Sequence, residues 1–382
     1  MPGPGFFVAL EIDGDGAHPS AWRFAEHQPD ELLTPQRTVQ TIRDAERHGF
    51  SAVTIQDSPQ PPQAEPGITG RLDAVLRAGF AAPQTSGIGL IPVAHTTFAE
   101  PFHLSAQLSS LDHVSHGRAG WIATASGDAA DGAAYGREAI SDADAVQSES
   151  GDVIRAARLL WDSWEDEAVI RDATSSRYLD RDRIHPAGFD GRSFTVHAAA
   201  ITPRPPQGQV PVFAALDALP AQLIDVALLT GTHIEELQAS ASLARAAGIP
   251  RVLGELEVVL PVQGRTAQER LAELDEAARR DALASSAAPP RPRHVGDVDS
   301  LVAVLAQLAE FVDGVRLHPA VLDVDGEELG RAVLPRLRQR GLLTSTAPGQ
   351  TLRESLGLPR PDNVFAIGTA QQLQHVREES RA

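Results

Sequence analysis

Short apolar runs alternate with segments of helical period along almost the whole chain, and that alternation leaves few folds open. "FFVALEI" at 6–12 reads as a first strand. "PQRTVQTIRDAERHGF" then puts Val39, Ile42 and Ala45 on one face, with Pro35 in its first turn and Gly49 as its stop, so it reads as a helix. "SAVTIQD", "GIGLIPVAHTT" and "GRAGWIATAS" follow as strands 2 to 4, separated by the helical "GRLDAVLRAGFAAP" and "EPFHLSAQLSSLDHVS". "SGDVIRAARLLWDSW" is the fourth helix, and its "WDSWEDE" end reads as a solvated helix terminus with Trp161 turned inward.

Between 165 and 209 the rhythm breaks into a polar, turn-rich segment, which reads as an inserted arm and not as a second domain. Alternation resumes with "VPVFAAL", "DVALLTG", "RVLGELEVVLPV" and "VDGVRLHP" as strands 5 to 8, with "SSAAPPRPRH" as a linker. Strand–helix alternation with apolar strands predicts a parallel sheet covered by helices. About eight such units fit an α/β fold of the (β/α)8 TIM-barrel type better than an open sheet. No "GxGxxG" follows strand 1, which weakens a dinucleotide-binding sheet. The division expected is a barrel over 1–341 and a C-terminal extension over 342–382 that wraps the surface or a partner subunit.

Composition removes several chemistries. The net charge of −18 argues against nucleic acid or an anionic membrane surface as partner. With no cysteine there is no thiolate chemistry, disulfide or Cys-ligated metal. All 33 cationic residues are arginine, so a Schiff-base lysine and a phosphate-loop lysine are both absent. The first residues lack a basic leader, and no apolar stretch approaches the roughly 18–20 residues that span a bilayer. The expectation is a soluble cytoplasmic protein.

In a barrel, activity sits at the C-terminal ends of the strands. That rule selects Asp57 and Ser58, His95, Thr96 and Thr97, Thr124 and Ser126, Leu216 and Asp217, and His318. These are mostly neutral hydrogen-bonding groups, suited to gripping a polar heterocycle and poorly equipped for acid–base hydrolysis. Two readings stand for several of them. Asp57 in "QDSP" either caps the next segment or meets a cofactor. Thr96 or Thr97 is either an N-cap or a ligand contact, and His95 is either structural or catalytic. No carboxylate spacing around His103, His113 and His116 suggests a metal site.

"SLDHVSHGRAGWIATAS" resembles the "SLDHLSGGRAGWN" signature of the luciferase-like flavin monooxygenases, in the nitrilotriacetate and dibenzothiophene-sulfone monooxygenase branch. "TIQDS", "TTFAEPFH", "LLWDSWEDEAVIRD", "YLDRDRIHPAGFDGRSFTV" and "ITPRPPQGQVPV" extend the resemblance in order along the chain. It implies a luciferase-like (β/α)8 barrel, a homodimer or homotetramer, and oxygenation of a small organic substrate. The cofactor would be reduced FMN supplied by a separate flavin reductase, or a deazaflavin coenzyme in some relatives. It also implies a cofactor site at Asp57, Thr96, Thr97 and Ser126, with Asp217 at its phosphate end. His95, the catalytic candidate, stands where the family has a small serine beside the ring. Three further positions depart from the pattern, and they leave a non-catalytic flavin-binding relative as the alternative. Ala143 and Gln147 stand where a His and a Tyr reach the flavin phosphate, and Asp217 stands in place of a phosphate-binding Gly-Ser turn.

Overall fold

The computed structural model describes residues 5–60, 70–262, 264–281, 283, 290–343 and 347–366. Eight parallel strands carry it: β1 (Phe7–Glu11), β2 (Ala52–Ile55), β3 (Gly89–His95), β4 (Trp121–Thr124), β5 (Val212–Ala215), β6 (Val226–Leu229), β7 (Arg251–Val259) and β8 (Gly314–Pro319). Their spatial order is β6-β5-β4-β3-β2-β1-β8-β7, and a parallel β6–β7 pairing, Val226 opposite Arg251, closes the sheet. The closed (β/α)8 barrel expected from the alternation is present.

The helices begin and end where local chemistry dictates. In α1 (Pro35–His48), the Thr34 hydroxyl accepts from Arg37 N, and Gly49 adopts φ 83° to stop the helix. The next helices are α2 (Ala74–Ala81), capped by Asp73, and α3 (Pro101–Val114), capped by Glu100. A short helix, α4 (Ala129–Ala134), precedes α5 (Ala143–Asp162), which starts several residues before the predicted helix because Asp142 caps it. Trp161 is buried, as expected, and its Nε1 donates to Ser105 O at 3.0 Å. No α-helix separates β5 from β6, only a turn of 3-10 helix at Ala221–Leu223. After β8, wide turns over Leu322–Gly326 and Leu329–Val333 replace a regular helix until Leu334–Gln339, whose Pro335 has no N–H to donate. Residues 285–289 of the predicted linker lie outside the described residues; its last two, Arg293 and His294, begin a short strand, Arg293–Val295, which pairs with the end of β7.

Residues 165–209 form the two hairpins Val169–Asp172/Arg177–Leu179 and Phe189–Asp190/Thr195–Val196. Arg204 ties this arm to α5 through Asp162 at 2.9 Å, and Arg360 grips Asp166 at 2.8 and 2.6 Å.

The described part of the extension enters the barrel. Leu352, Leu356 and Leu358 join Phe7, Ala52, Ile91, Val93, Ile122, Phe213 and Leu228 in one buried interior cluster. Gly89 and Gly120 leave the room: a Cβ there would lie 2.9 and 2.8 Å from the Leu352 side chain. Leu352 thus stoppers the N-terminal end of the barrel. Replacing it with alanine is expected to cost about 2–5 kcal/mol, because a rigid ring of strands cannot collapse into the space. The shift of the urea unfolding midpoint measures this.

Candidate functional site

The opposite end of the barrel collects the C-terminal ends of all eight strands. His95 and Thr124 are register partners on β3 and β4. Both follow inward-facing residues, Val93 and Ile122, by two positions. His95 Nε2 and Thr124 Oγ1 are buried and have no hydrogen-bond partner among the described residues. Buried polar atoms are normally paired, so two unpaired neighbours mark where the polar edge of a ligand would sit. Burial pushes the His95 pKa down, with the Arg71 charge adding to the effect, while the Asp57 carbonyl that its ring hydrogen-bonds and the Asp131 and Asp57 charges oppose it. Because Nε2 has no partner, Nδ1 makes the Asp57 bond, and the neutral ring keeps the buried Nε2 lone pair free to accept.

The other candidates divide. Asp57 follows β2 and spends both oxygens on backbone N–H groups, from Ser58 at 2.8 Å and Ala74 at 2.7 Å, which docks α2 on the strand end. Ser58 accepts from Gln60 N. Thr96 has no accessible surface, and its hydroxyl bonds Thr124 O and Ser150 Oγ at 2.9 Å each, so it faces packing and not the mouth. Thr97 Oγ1 accepts from Ser126 N at 2.9 Å and keeps its own proton to donate. Ser126 Oγ accepts from Asp128 N. Neither threonine caps α3, whose cap is Glu100. Leu216 packs against the core, whereas His318 lies inside the barrel.

At the expected phosphate end, Gln147 Nε2 donates to Asp217 O at 3.3 Å, so these two altered positions are neighbours. Asp217 is exposed, and so is Ala143. The pair offers one amide and one carboxylate, a poor match for a phosphate.

Phe98, next to Thr97, holds φ 65°, a costly conformation for a bulky residue. Glu149 enforces it by accepting from Phe98 N at 2.9 Å while holding Arg137 at 2.6 and 2.9 Å. The Phe98 ring lies between Tyr135, with centroids 6.3 Å apart, and Arg137, whose guanidinium carbon is 5.2 Å from the centroid. This assembly moors the loop between β4 and α5 beside the mouth.

Across the barrel, the interior is ionic. Arg316 on β8 reaches Thr54 Oγ1 at 2.9 Å, Glu255 Oε1 at 2.7 Å and Glu11 Oε2. Glu255 also takes Arg291 Nε at 3.0 Å, and His318 Nε2 lies 3.2 Å from it. Burial would raise Glu255, but Arg316, His318 and Arg291 outweigh it and hold the carboxyl well below its usual range. The signal for this half was present: Glu255 and Glu257, and Arg316 and His318, recur every second residue in strands that otherwise read as apolar. Among the described residues no group of three or more His, Cys, Asp or Glu side chains is placed to hold a metal.

The luciferase-like monooxygenase family model matches residues 7–326. The chain belongs to that family. It is 26% identical to an N-acetyl-S-(2-succino)cysteine monooxygenase of Bacillus subtilis (strain 168), over 94% of this chain and 98% of that protein. It is 25% identical to component A of a nitrilotriacetate monooxygenase of Aminobacter aminovorans, over 92% and 96%. A crystal structure of a riboflavin lyase with modified FMN and riboflavin superposes with a TM-score of 0.81 at 22% identity, covering 94% of this chain and 97% of that one.

In this luciferase-like chain the signature segment is a structural staple beside the site. Asp112, fully buried, accepts from Gln207 Nε2 at 2.6 Å, Gln207 N at 3.2 Å and Ala119 N at 3.3 Å. Arg118 satisfies its guanidinium on Ser115 O, Thr85 Oγ1, Thr85 O, Ile88 O and Ala82 O. Trp121 Nε1 donates to Ala94 O, binding β4 to β3 just before His95.

Burial raises the Asp112 carboxyl from its ordinary 3.8 to about 6, against the pull of the Gln207 and Ala119 hydrogen bonds. The folded state therefore holds a proton that the unfolded state releases, and stability falls as pH rises from about 4 to about 6. At about 1.4 kcal/mol per pH unit the window spans about 3 kcal/mol. Urea melts across that range should show the slope in the native protein and its loss in Asp112→Asn, which is also less stable because its amide faces donors. Glu149→Ala should cost about 1–3 kcal/mol by stranding Phe98 N–H and Arg137. A matching rise in proteolysis between β4 and α5 would locate the effect.

Proposed function

We propose that the chain is the oxygenase of a two-component system, binding reduced FMN from a separate flavin reductase and oxygenating a small organic substrate. The observation that carries this reading is the adjacent, buried and unpartnered pair His95 Nε2 and Thr124 Oγ1 at the barrel mouth. The ring end of the site fits a flavin: His95, Thr124, the Thr97 proton, Ser126 and the Asp57 carboxylate flank one end of a parallel barrel. The phosphate end does not fit, since Gln147 and Asp217 supply no cation, and no step is derived through it. The named relatives support the reading, one as a component of a nitrilotriacetate monooxygenase. Reduced flavin, when bound, supplies the reaction with oxygen and the delivery of one oxygen atom to the substrate.

The chain's own contribution is orientation, water exclusion and one proton acceptor. Ile122, Val93 and Leu228 floor the mouth with apolar surface, which keeps water from a reactive cofactor. His95 Nε2 accepts a proton or hydrogen bond from the bound pair, and the Asp57 carbonyl fixes the tautomer that makes it able to. Thr97 and Ser126 position. We read the protein as cytoplasmic and as a homodimer or homotetramer; exposed Leu76 and Phe80 on α2, with Leu72 just before it, support assembly.

The test is an anaerobic titration with reduced FMN, oxidised FMN and a deazaflavin coenzyme, followed by tryptophan fluorescence, then oxygen uptake with an added flavin reductase. Selective binding of reduced FMN is expected. His95→Ala should keep that binding and lose about 10²–10⁴-fold in kcat/KM. Native activity should fall on acidification, as the neutral imidazole takes up a proton, and hold steady above neutral pH. Binding of deazaflavin without oxygen uptake would replace the monooxygenase with a hydride-transfer enzyme. Binding of none of the three would overturn both.

A further inference from the structure

The ionic half of the mouth does not balance. Asp13, just beyond β1, is the shared partner of Arg77 Nη2 at 2.8 Å and Arg71 Nε at 3.1 Å, and its own N–H donates to Glu11 Oε1 at 3.0 Å. Glu11 in turn holds Arg316, which holds Glu255, which holds Arg291. The chain of contacts is continuous around β2, β1, β8 and β7. It contains three carboxylates, Glu11, Asp13 and Glu255, against four guanidiniums, Arg71, Arg77, Arg291 and Arg316. In a chain whose net charge is −18, a buried cluster with a cation to spare is a local inversion.

The surplus has a place. Arg77 is nine-tenths buried, uses Nη2 on Asp13 and Gln56 O, and leaves Nε buried without a partner. Arg71 is 19% exposed, and Nε is its only atom with a partner among the described residues. Its two terminal amino groups therefore remain available to donate, with a full charge behind them. Arg71 is also near enough to His95 to act on that ring electrostatically. Asp57, at the end of β2, spends both oxygens on backbone amides, and Asp131 is the other carboxylate whose charge reaches His95.

We propose that Arg71, backed by Arg77, is an anion-binding site of the mouth that takes a carboxylate, sulfonate or phosphate group of a molecule bound beside His95. A planar guanidinium offers paired N–H donors to such oxyanions. The source of the anion is either the acidic group of the organic substrate or the phosphate of the flavin, for which the Gln147–Asp217 end is unsuited. The proposal rests on the oxygenase reading for what sits beside His95, but not for the binding of an anion.

The experiment compares the native protein, Arg71→Gln and Arg71→Lys, each checked for an unchanged melting temperature. Three probes are titrated without oxygen: reduced FMN, reduced riboflavin and citrate. If the anion is the flavin phosphate, native protein prefers FMN to riboflavin by about tenfold, a preference that Arg71→Gln abolishes and Arg71→Lys partly restores. If it is the substrate's acid, the FMN-to-riboflavin ratio is the same in all three proteins, and citrate binding falls about tenfold in Arg71→Gln alone. Equal binding of every probe to all three proteins would overturn the anion site. Citrate binding that depends on Arg71, with no flavin bound by any protein, would keep the anion site and sink the oxygenase.

Discussion

A closed parallel sheet is the constraint from which the rest follows. Once β6 pairs with β7 none of the eight barrel strands is an edge, and all eight end at the same mouth. Each strand's last inward residue is then delivered to one small area, whatever its distance along the chain. His95 and Thr124 meet by register, and so do Arg316 and Glu255, although 61 residues separate the latter pair. The barrel does the assembling; the sequence need only place a suitable residue at each strand's end.

The two halves of the mouth use that delivery differently. On β3 and β4 small hydroxyls and an imidazole stand above apolar side chains, and two polar atoms go unpaired. On β1, β7 and β8 charged groups are locked to one another. Burying such a network is not a source of stability in itself, since an apolar core of equal volume often does as well or better. What it supplies is rigidity and a fixed field beside His95, where Arg71 and Asp57 act with opposite sign on the same ring.

Strands and helices were legible because their period is local: α1 begins at Pro35 and stops at Gly49, both readable from the chain alone. The mouth residues His95, Thr124 and Ser126 were legible once a barrel was assumed. What local pattern could not show is pairing at a distance. Thr96 looks like its neighbour Thr97, and only the position of Ser150 on α5 reveals that one faces packing. Nothing local to Asp112 marks it as buried, and only Gln207, far along the chain, shows it to be a buried acceptor. The ionic half was hidden for another reason: its charges sit inside strands whose apolar neighbours dominated the reading.

Gln207 also looks the other way. Its Oε1 accepts from Arg353 N at 2.8 Å, and Leu352 N donates to Gly117 O at 2.8 Å. The stopper of the barrel is thus latched to the signature segment, and it belongs to the last part of the described chain. During synthesis the eight strands emerge before anything can close the floor beneath them. The floor closes only when Leu352, Leu356 and Leu358, made after all eight strands, have packed into the interior. A truncation that spares every strand and every mouth residue would still leave that floor open, so the integrity of the site is governed from the far end of the molecule.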